Sequence, residues 1–358
     1  MECRRRFDDR ARQKAGLHLS DLIDQIPPDR RDRARSALAA TFGRFPVTAL
    51  QPITVGASAL SYRIEVTGRP YLLRLESFRR DAVRDPHRSY VCMQAAVDAG
   101  IAPAVHHADA AAGVVIADFV QERALSEYPG GTQGLVRDLG SLVARLQAVP
   151  AFPPVSDYLS VIGYLFGRLL ESNLFAPGLL DRHQKGFERI RAAYPWDAAA
   201  LVSSHNDANP SNVLFDGERL WLVDWETAYR NDPLVDVATL TAFYARTPEL
   251  EALLLRSWLG REPDRMLLAR LILMRLLVRL FYGCAASLNA ANASGVMVPQ
   301  TDLSAPTPQQ FRDDVAQGRL TAGSAEGQRI VGKMALAGFL AGLATSEFED
   351  ALMVVRRG

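Results

Sequence analysis

Cysteine is scarce in this 358-residue chain, standing only at Cys3, Cys92 and Cys284. Three thiols so far apart form neither a disulfide framework nor a zinc knuckle, and they suit a reducing compartment. Charge of one sign is lacking too: 41 Lys and Arg meet 40 Asp and Glu, leaving +1. A nucleic-acid-binding surface shows as a basic surplus, so no nucleic-acid partner is expected. The short run Arg4-Arg5-Arg6 is offset by Asp8 and Asp9 and reads as a solvated terminus. Long apolar runs are missing as well. Met266–Leu280 is broken by Arg270, Arg275 and Arg279, and Met334–Ala344 is too short to span a bilayer. No apolar stretch follows the charged N-terminus. Membrane insertion is therefore not expected, and a cytoplasmic location is.

What remains is ordinary globular composition, 48% hydrophobic and 23% charged, in a chain long enough for two lobes. Residues from about 20 to 45 read as helical. Three strands follow, around Ile53–Val55, Tyr62–Val66 and Tyr71–Leu75, with Thr67-Gly68-Arg69-Pro70 as a turn. A helix over Asp85–Ala99 stops at Gly100, and strands Ala104–His107 and Val114–Val120 come next. Beyond residue 120, apolar spacings of three and four predict helices over Leu135–Val149, Tyr158–Leu174, Leu234–Tyr244, Leu267–Leu288 and about 326–355. Residues 294–325 read as an excursion rich in Gly, Pro, Ser and Thr. The fold class predicted is α+β in two lobes: a helical extension over 1–47, a small antiparallel-sheet lobe over 48–120, and a helical lobe over 121–358.

One β island interrupts the helical half. It runs Ser204-His205-Asn206-Asp207-Ala208-Asn209-Pro210-Ser211-Asn212, then a short strand, a turn at Gly217, and a returning strand ending in Val223-Asp224-Trp225-Glu226. A polar loop at the end of a hairpin lets Asp207, Asn212 and Asp224 converge. Phosphoryl transfer needs these chemical types together: one carboxylate to orient the attacking hydroxyl and accept its proton, and an amide oxygen with a second carboxylate for magnesium, a hard cation that prefers oxygen. His205, Asp207 and Asn212 fit the kinase spacing H-x-D-x-x-x-x-N, with Asp224 one hairpin later. His205 reads as a support for the loop rather than a reactant. Upstream, Gly56-Ala57-Ser58-Ala59 between two strands offers open backbone to ATP phosphates, with Ser58 and Ser61 as hydroxyl donors.

This segment resembles the catalytic core of the choline/ethanolamine kinase and aminoglycoside phosphotransferase superfamily, which has the protein-kinase-like fold. His-Asn-Asp at 205–207 and Asp-Trp-Glu at 224–226 lean toward bacterial choline kinases, and Asn231-Asp232-Pro233 with Asp236 extends the match. The likeness is clearest over 200–240 and weaker over 50–120. It implies ATP and Mg²⁺ as cofactors, Asp207 as catalytic base, and Asn212 and Asp224 as metal ligands. It further implies Arg74 as the phosphate-binding basic residue of the third strand, and Asp118-Phe119-Val120 as the hinge whose backbone reads adenine. The family's helix glutamate, partner of that basic residue, is missing from His87–Gln94. Glu76, Asp81, Asp85, Asp98 or Gln94 could replace it.

The expected acceptor is a small molecule with a hydroxyl, first a cationic alcohol such as choline. Aromatic faces attract quaternary ammonium at about 0.5–2 kcal/mol per contact. Trp225, Tyr244 and Glu226 are the candidate substrate contacts, with Tyr229 and Phe243 also near the motif, Trp258, Phe281 and Tyr282 farther along the chain, and Asp236 bracing the loop. Thiamine and aminoglycosides are the alternative acceptors, and a catalytically inactive nucleotide-binding module is the rival of another class.

Overall fold

The computed structural model describes residues 22–53, 59–76, 85–294 and 298–357. Gly56 and Ser58 of the small-residue loop, and Asp81, lie outside them. The described chain divides into two units. One holds residues up to Arg80 with Pro103–Gln121, and the other holds Asp81–Ala102 with everything from Glu122 on.

The first unit is a five-stranded antiparallel sheet, order β1-β2-β3-β5-β4, with strands β1 Val47–Ile53, β2 Ala59–Val66, β3 Arg69–Glu76, β4 Val105–Asp109 and β5 Val114–Asp118. The β2–β3 hairpin pairs Val66 with Arg69 across a two-residue turn. Thr67 and Gly68 both take positive φ there, 51° and 79°, the twist that matches a right-handed hairpin. Alternation along the strands sorts side chains to two faces. Tyr62, Ile64, Leu73, Leu75, Val114 and Ile116 point one way, into a core shared with Ala34, Ala37 and Leu38 of helix α1, Pro28–Phe42. Helix α1 also grips the end of β3. Arg30 donates to the Leu75 carbonyl at 3.2 Å, and Arg33 donates to the carbonyls of Glu76 and Ala112 at 2.9 and 2.6 Å.

The second unit begins with helix α2, Pro86–Asp98, capped by Asp85, whose side chain accepts from the His87 amide. The sequence reading put this helix in the sheet lobe. Its buried residues Cys92 and Ala96 instead join the larger core, because the apolar stripe of an amphipathic helix goes where it is covered. Helices α3 Gly131–Gln147, α4 Tyr158–Glu171 and α5 Asp181–Ala193 follow. Two short antiparallel pairs come next: β6 Val202–Ser204 with β9 Tyr229–Asn231, and between them in the chain the hairpin of β7 Val213–Phe215 with β8 Leu220–Leu222. Then come α6 Leu234–Phe243, α7 Pro248–Leu259, α8 Arg265–Ser294, α9 Pro308–Ala316, α10 Ala325–Leu343 and α11 Ser346–Arg357.

Two departures from the expected pattern stand out. The terminal stretch is two helices bent by 69°, and the excursion contains α9, which a Thr307–Gln310 capping box starts. Helix α8 is long and apolar enough to cross a membrane, yet 67% of its most apolar window is buried inside this unit, against α4, α6, α10 and α11. It is the axis of the core.

Candidate active site

The loop between β6 and β7 is built around one buried carboxylate. Asp236, in the first turn of α6, is inaccessible to solvent. One of its oxygens accepts from the Ser204 hydroxyl at 2.8 Å and the His205 amide at 2.9 Å, and the other accepts from the Asn206 amide at 2.8 Å. Three donors converge because Asn206 takes a left-handed φ of 64°, which turns successive N–H groups the same way. Asparagine tolerates that conformation better than most residues. Burial raises the Asp236 pKa and lowers that of His205. His205 is fully buried, its Nε2 is 2.9 Å from the Val223 carbonyl, and its ring meets Trp225 edge-on at 4.7 Å. It ties the strand end carrying Asp224 to the loop.

Asp207 follows in chain order, at a half-buried position. One carboxylate oxygen accepts from the Tyr282 hydroxyl at 2.5 Å and from Asn209 Nδ2 at 2.7 Å, and the other is 3.2 Å from Asn212 Nδ2. Desolvation pushes the Asp207 pKa up to about 7. The hydrogen bonds from Tyr282 and Asn209 oppose that rise, and the negative charges of Asp224 and Glu226 add to it. A carboxyl poised near neutral pH suits proton transfer. Tyr282 sits on α8, 75 residues beyond Asp207, and its ring meets Phe243 edge-on at 6.1 Å. Sequence reasoning noticed it only as one of several aromatics, since nothing local links it to the loop.

Asn212 spends its amide nitrogen on the Asp207 carbonyl at 2.9 Å, so its oxygen is the atom left to face a cation. Asp224 adopts φ 64°, ψ 72°, a left-handed conformation costing about 1–2 kcal/mol for a residue with a Cβ, so its surroundings must hold it there. Among the described residues no group of three or more His, Cys, Asp or Glu could hold a metal ion. An amide oxygen and a carboxylate, completed by phosphate oxygens, fit Mg²⁺.

The remaining sequence candidates fall as follows. Trp225 is 5% exposed and packs between Phe152 and His205, and its buried indole N–H has no hydrogen-bond partner among the described residues. Tyr244 follows α6, mostly buried, with a hydroxyl that has no hydrogen-bond partner among the described residues and a pKa raised by desolvation. Glu226 is half-buried and near enough to raise the pKa of Asp207.

In the first unit, register puts Ser61 directly opposite Arg74, on the sheet face away from α1. Arg74 Nε ion-pairs with Glu76 at 2.8 Å, two residues along the same strand. Gln94 instead donates to Asp98, and Asp85 caps α2. The Asp118 carboxylate accepts from Arg69 at 2.9 Å and lies 2.8 Å from His106 Nε2, while its amide donates to the Ala104 carbonyl. Arg63 lies over the Phe119 ring at 5.6 Å, and Val120 is half-buried.

Residues 49–268 match the phosphotransferase enzyme family, known as APH. Among curated relatives, Protein LicA of Haemophilus influenzae is 48% identical over 40 residues, 11% of this chain. The chain spans 15% of the length of the first curated relatives it matches. A choline/ethanolamine kinase family protein from Mesorhizobium loti superposes with a TM-score of 0.65 at 23% identity, covering 91% of this chain and 99% of that one. The spectinomycin phosphotransferase APH(9)-Ia, solved with ADP and spectinomycin, superposes at 0.52 with 12% identity, covering 84% and 98%. At such identities these structures establish the shared fold.

Proposed function

The chain belongs to the phosphotransferase enzyme family and is a small-molecule kinase of two-lobed, protein-kinase-like fold; from that premise we propose that it transfers the γ-phosphoryl group of ATP to the hydroxyl of a small cationic alcohol, choline first. The observation that carries this reading is Asp207. Its carboxylate is held by three side-chain donors, its pKa is about 7, and it neighbours Asn212 and the charges of Asp224 and Glu226.

Asp207 accepts the acceptor's hydroxyl proton as the oxygen bonds to the γ-phosphorus and the bond to ADP breaks. Tyr282 and Asn209 fix the carboxylate through one oxygen, and the other, held only by the longer 3.2 Å contact to Asn212 Nδ2, takes the hydroxyl proton. Asn212 and Asp224 would hold Mg²⁺, which when bound neutralises phosphate charge. Arg74 and Ser61 are the phosphate contacts of the sheet, as are Gly56 and Ser58, which lie outside the described residues. Asp118, Phe119 and Val120 serve the adenine through their backbone.

A cationic acceptor is supported by chemistry around the base. Carboxylates at 207, 224 and 226 attract positive charge, and Tyr282 with Phe243 supplies ring faces for an ammonium head. Tyr244 remains a further candidate contact. The relatives' names span choline/ethanolamine kinases and an antibiotic phosphotransferase, so thiamine and aminoglycosides are the competing acceptors. An ATP-consumption screen over choline, ethanolamine, thiamine, methylthioribose, homoserine and aminoglycosides tests the reading. Turnover of choline or thiamine is expected. Turnover of an aminoglycoside or an uncharged sugar, with both of those inert, would overturn it.

A further inference from the structure

Helix α2 lacks the glutamate that its counterpart carries in kinase-like proteins, yet it reaches the site through a cation. Arg88 is 6% exposed, and its guanidinium makes two hydrogen bonds to the segment after Asp224: Nη2 to the Glu226 carbonyl at 2.9 Å and Nε to the Ala228 carbonyl at 3.0 Å. The two intervening or flanking carbonyls go the other way. Asn206 Nδ2 donates to the carbonyls of Thr227 at 2.9 Å and Tyr229 at 3.3 Å. Alternate carbonyls over 226–229 are thus gripped from opposite sides, by Arg88 of α2 and by Asn206 of the catalytic loop. The clamped segment follows directly on Asp224, whose left-handed backbone must be held by its surroundings.

We propose that Arg88 is a positioning residue of the phosphotransfer reaction, fixing the turn that presents Asp224 to the metal and Glu226 to the acceptor. Arginine suits the task because its planar fork places two donors side by side, spanning carbonyls i and i+2, and it keeps its charge when buried. Lysine offers only a point charge. The inference rests on the kinase reading of Asp224, and the measurement below separates the two.

ADP affinity is measured by calorimetry with and without Mg²⁺ for wild type, Arg88→Met and Arg88→Lys. Arg219→Met is the control, because Arg219 also donates to a backbone carbonyl of this unit, that of Gly100, without touching the 224–229 segment. Loss of an outer partner of a metal ligand costs 10- to 100-fold in metal affinity, so Arg88→Met should lose about tenfold or more of the Mg²⁺-dependent gain, and Arg88→Lys less. Affinity in EDTA should hold, and Arg219→Met should keep the full gain. A gain within about twofold of wild type in Arg88→Met, or an equal loss in Arg219→Met, overturns the proposal. Should Arg88→Met not fold, Arg88→Gln, which cannot span both carbonyls, is judged by the same criterion. A wild type with no Mg²⁺-dependent gain overturns the kinase reading itself, and this proposal with it.

Discussion

Replacing Tyr282 by Phe removes one hydroxyl and leaves the ring. That hydroxyl donates to Asp207 at 2.5 Å and is one of the groups holding the carboxylate's pKa at about 7 against desolvation. The sign follows directly. A hydrogen bond to the charged form favours it, so its loss raises the pKa further. A bond to a charged group contributes about 1.5–3 kcal/mol, and 1.36 kcal/mol is one pKa unit, so with water partly replacing the hydroxyl the rise should be about one unit. The base works deprotonated, hence kcat/KM for the acceptor falls as pH drops through this pKa. Bound Mg²⁺ favours the carboxylate, so in the MgATP-loaded enzyme that kcat/KM reports, the limb of both enzymes sits below its metal-free position. At one pH unit below the wild-type limb, a one-unit rise cuts the ionised fraction about ninefold, whereas two units above it the cut is only about a tenth. The assay is the pH profile of kcat/KM at saturating MgATP for wild type and Tyr282→Phe. Superimposable acid limbs, or a limb displaced downward in the variant, would refute the reasoning.

Asp236→Ala strips three donors of a buried acceptor, so urea unfolding should show a loss of roughly 2–4 kcal/mol, larger than any change in ligand affinity of the protein that remains folded. Asp224→Asn should weaken Mg²⁺-dependent nucleotide binding far more than Asp207→Ala does, as read by calorimetry with and without the metal; equal effects would remove Asp224 from the metal site. Arg74→Met should raise the ATP Michaelis constant about tenfold or more and spare the acceptor's, since Arg74 lies in register with Ser61 on the sheet face away from α1. An unchanged ATP constant would leave Arg74 as the structural partner of Glu76.

The sheet and the main helices were legible because alternation and three-four spacing are local signals. The 205–224 motif was legible because its members lie within one hairpin. What escaped the sequence acts over distance. Tyr282 reaches Asp207 across 75 residues, and Arg88 reaches Glu226 across 138, so neither has a spacing to betray it. Asn206 was read only as a letter of the His-Asn-Asp motif, yet its side chain holds two carbonyls, and its oxygen accepts from Asn231 at 2.7 Å and lies 2.9 Å from the Ser204 hydroxyl, which donates to Asp236. An aromatic beside a metal ligand can face ligand or core, and the sequence carries no sign of the packing of Trp225 against Phe152. Helix α2 was assigned to the sheet lobe because it lies between strands in chain order, whereas its apolar stripe is covered by the helical unit.

The claim that Asp207 is the base of a phosphotransferase is tested most directly by pairing two numbers on one variant. For Asp207→Asn, calorimetry gives the Mg²⁺-nucleotide affinity, and phosphorus NMR gives the rate of phosphorylated acceptor formation with whichever alcohol the wild type turns over. The account expects affinity within about threefold of wild type and a rate lower by about 10²-fold or more. A variant that binds nucleotide normally and keeps more than about a tenth of the wild-type rate would contradict it.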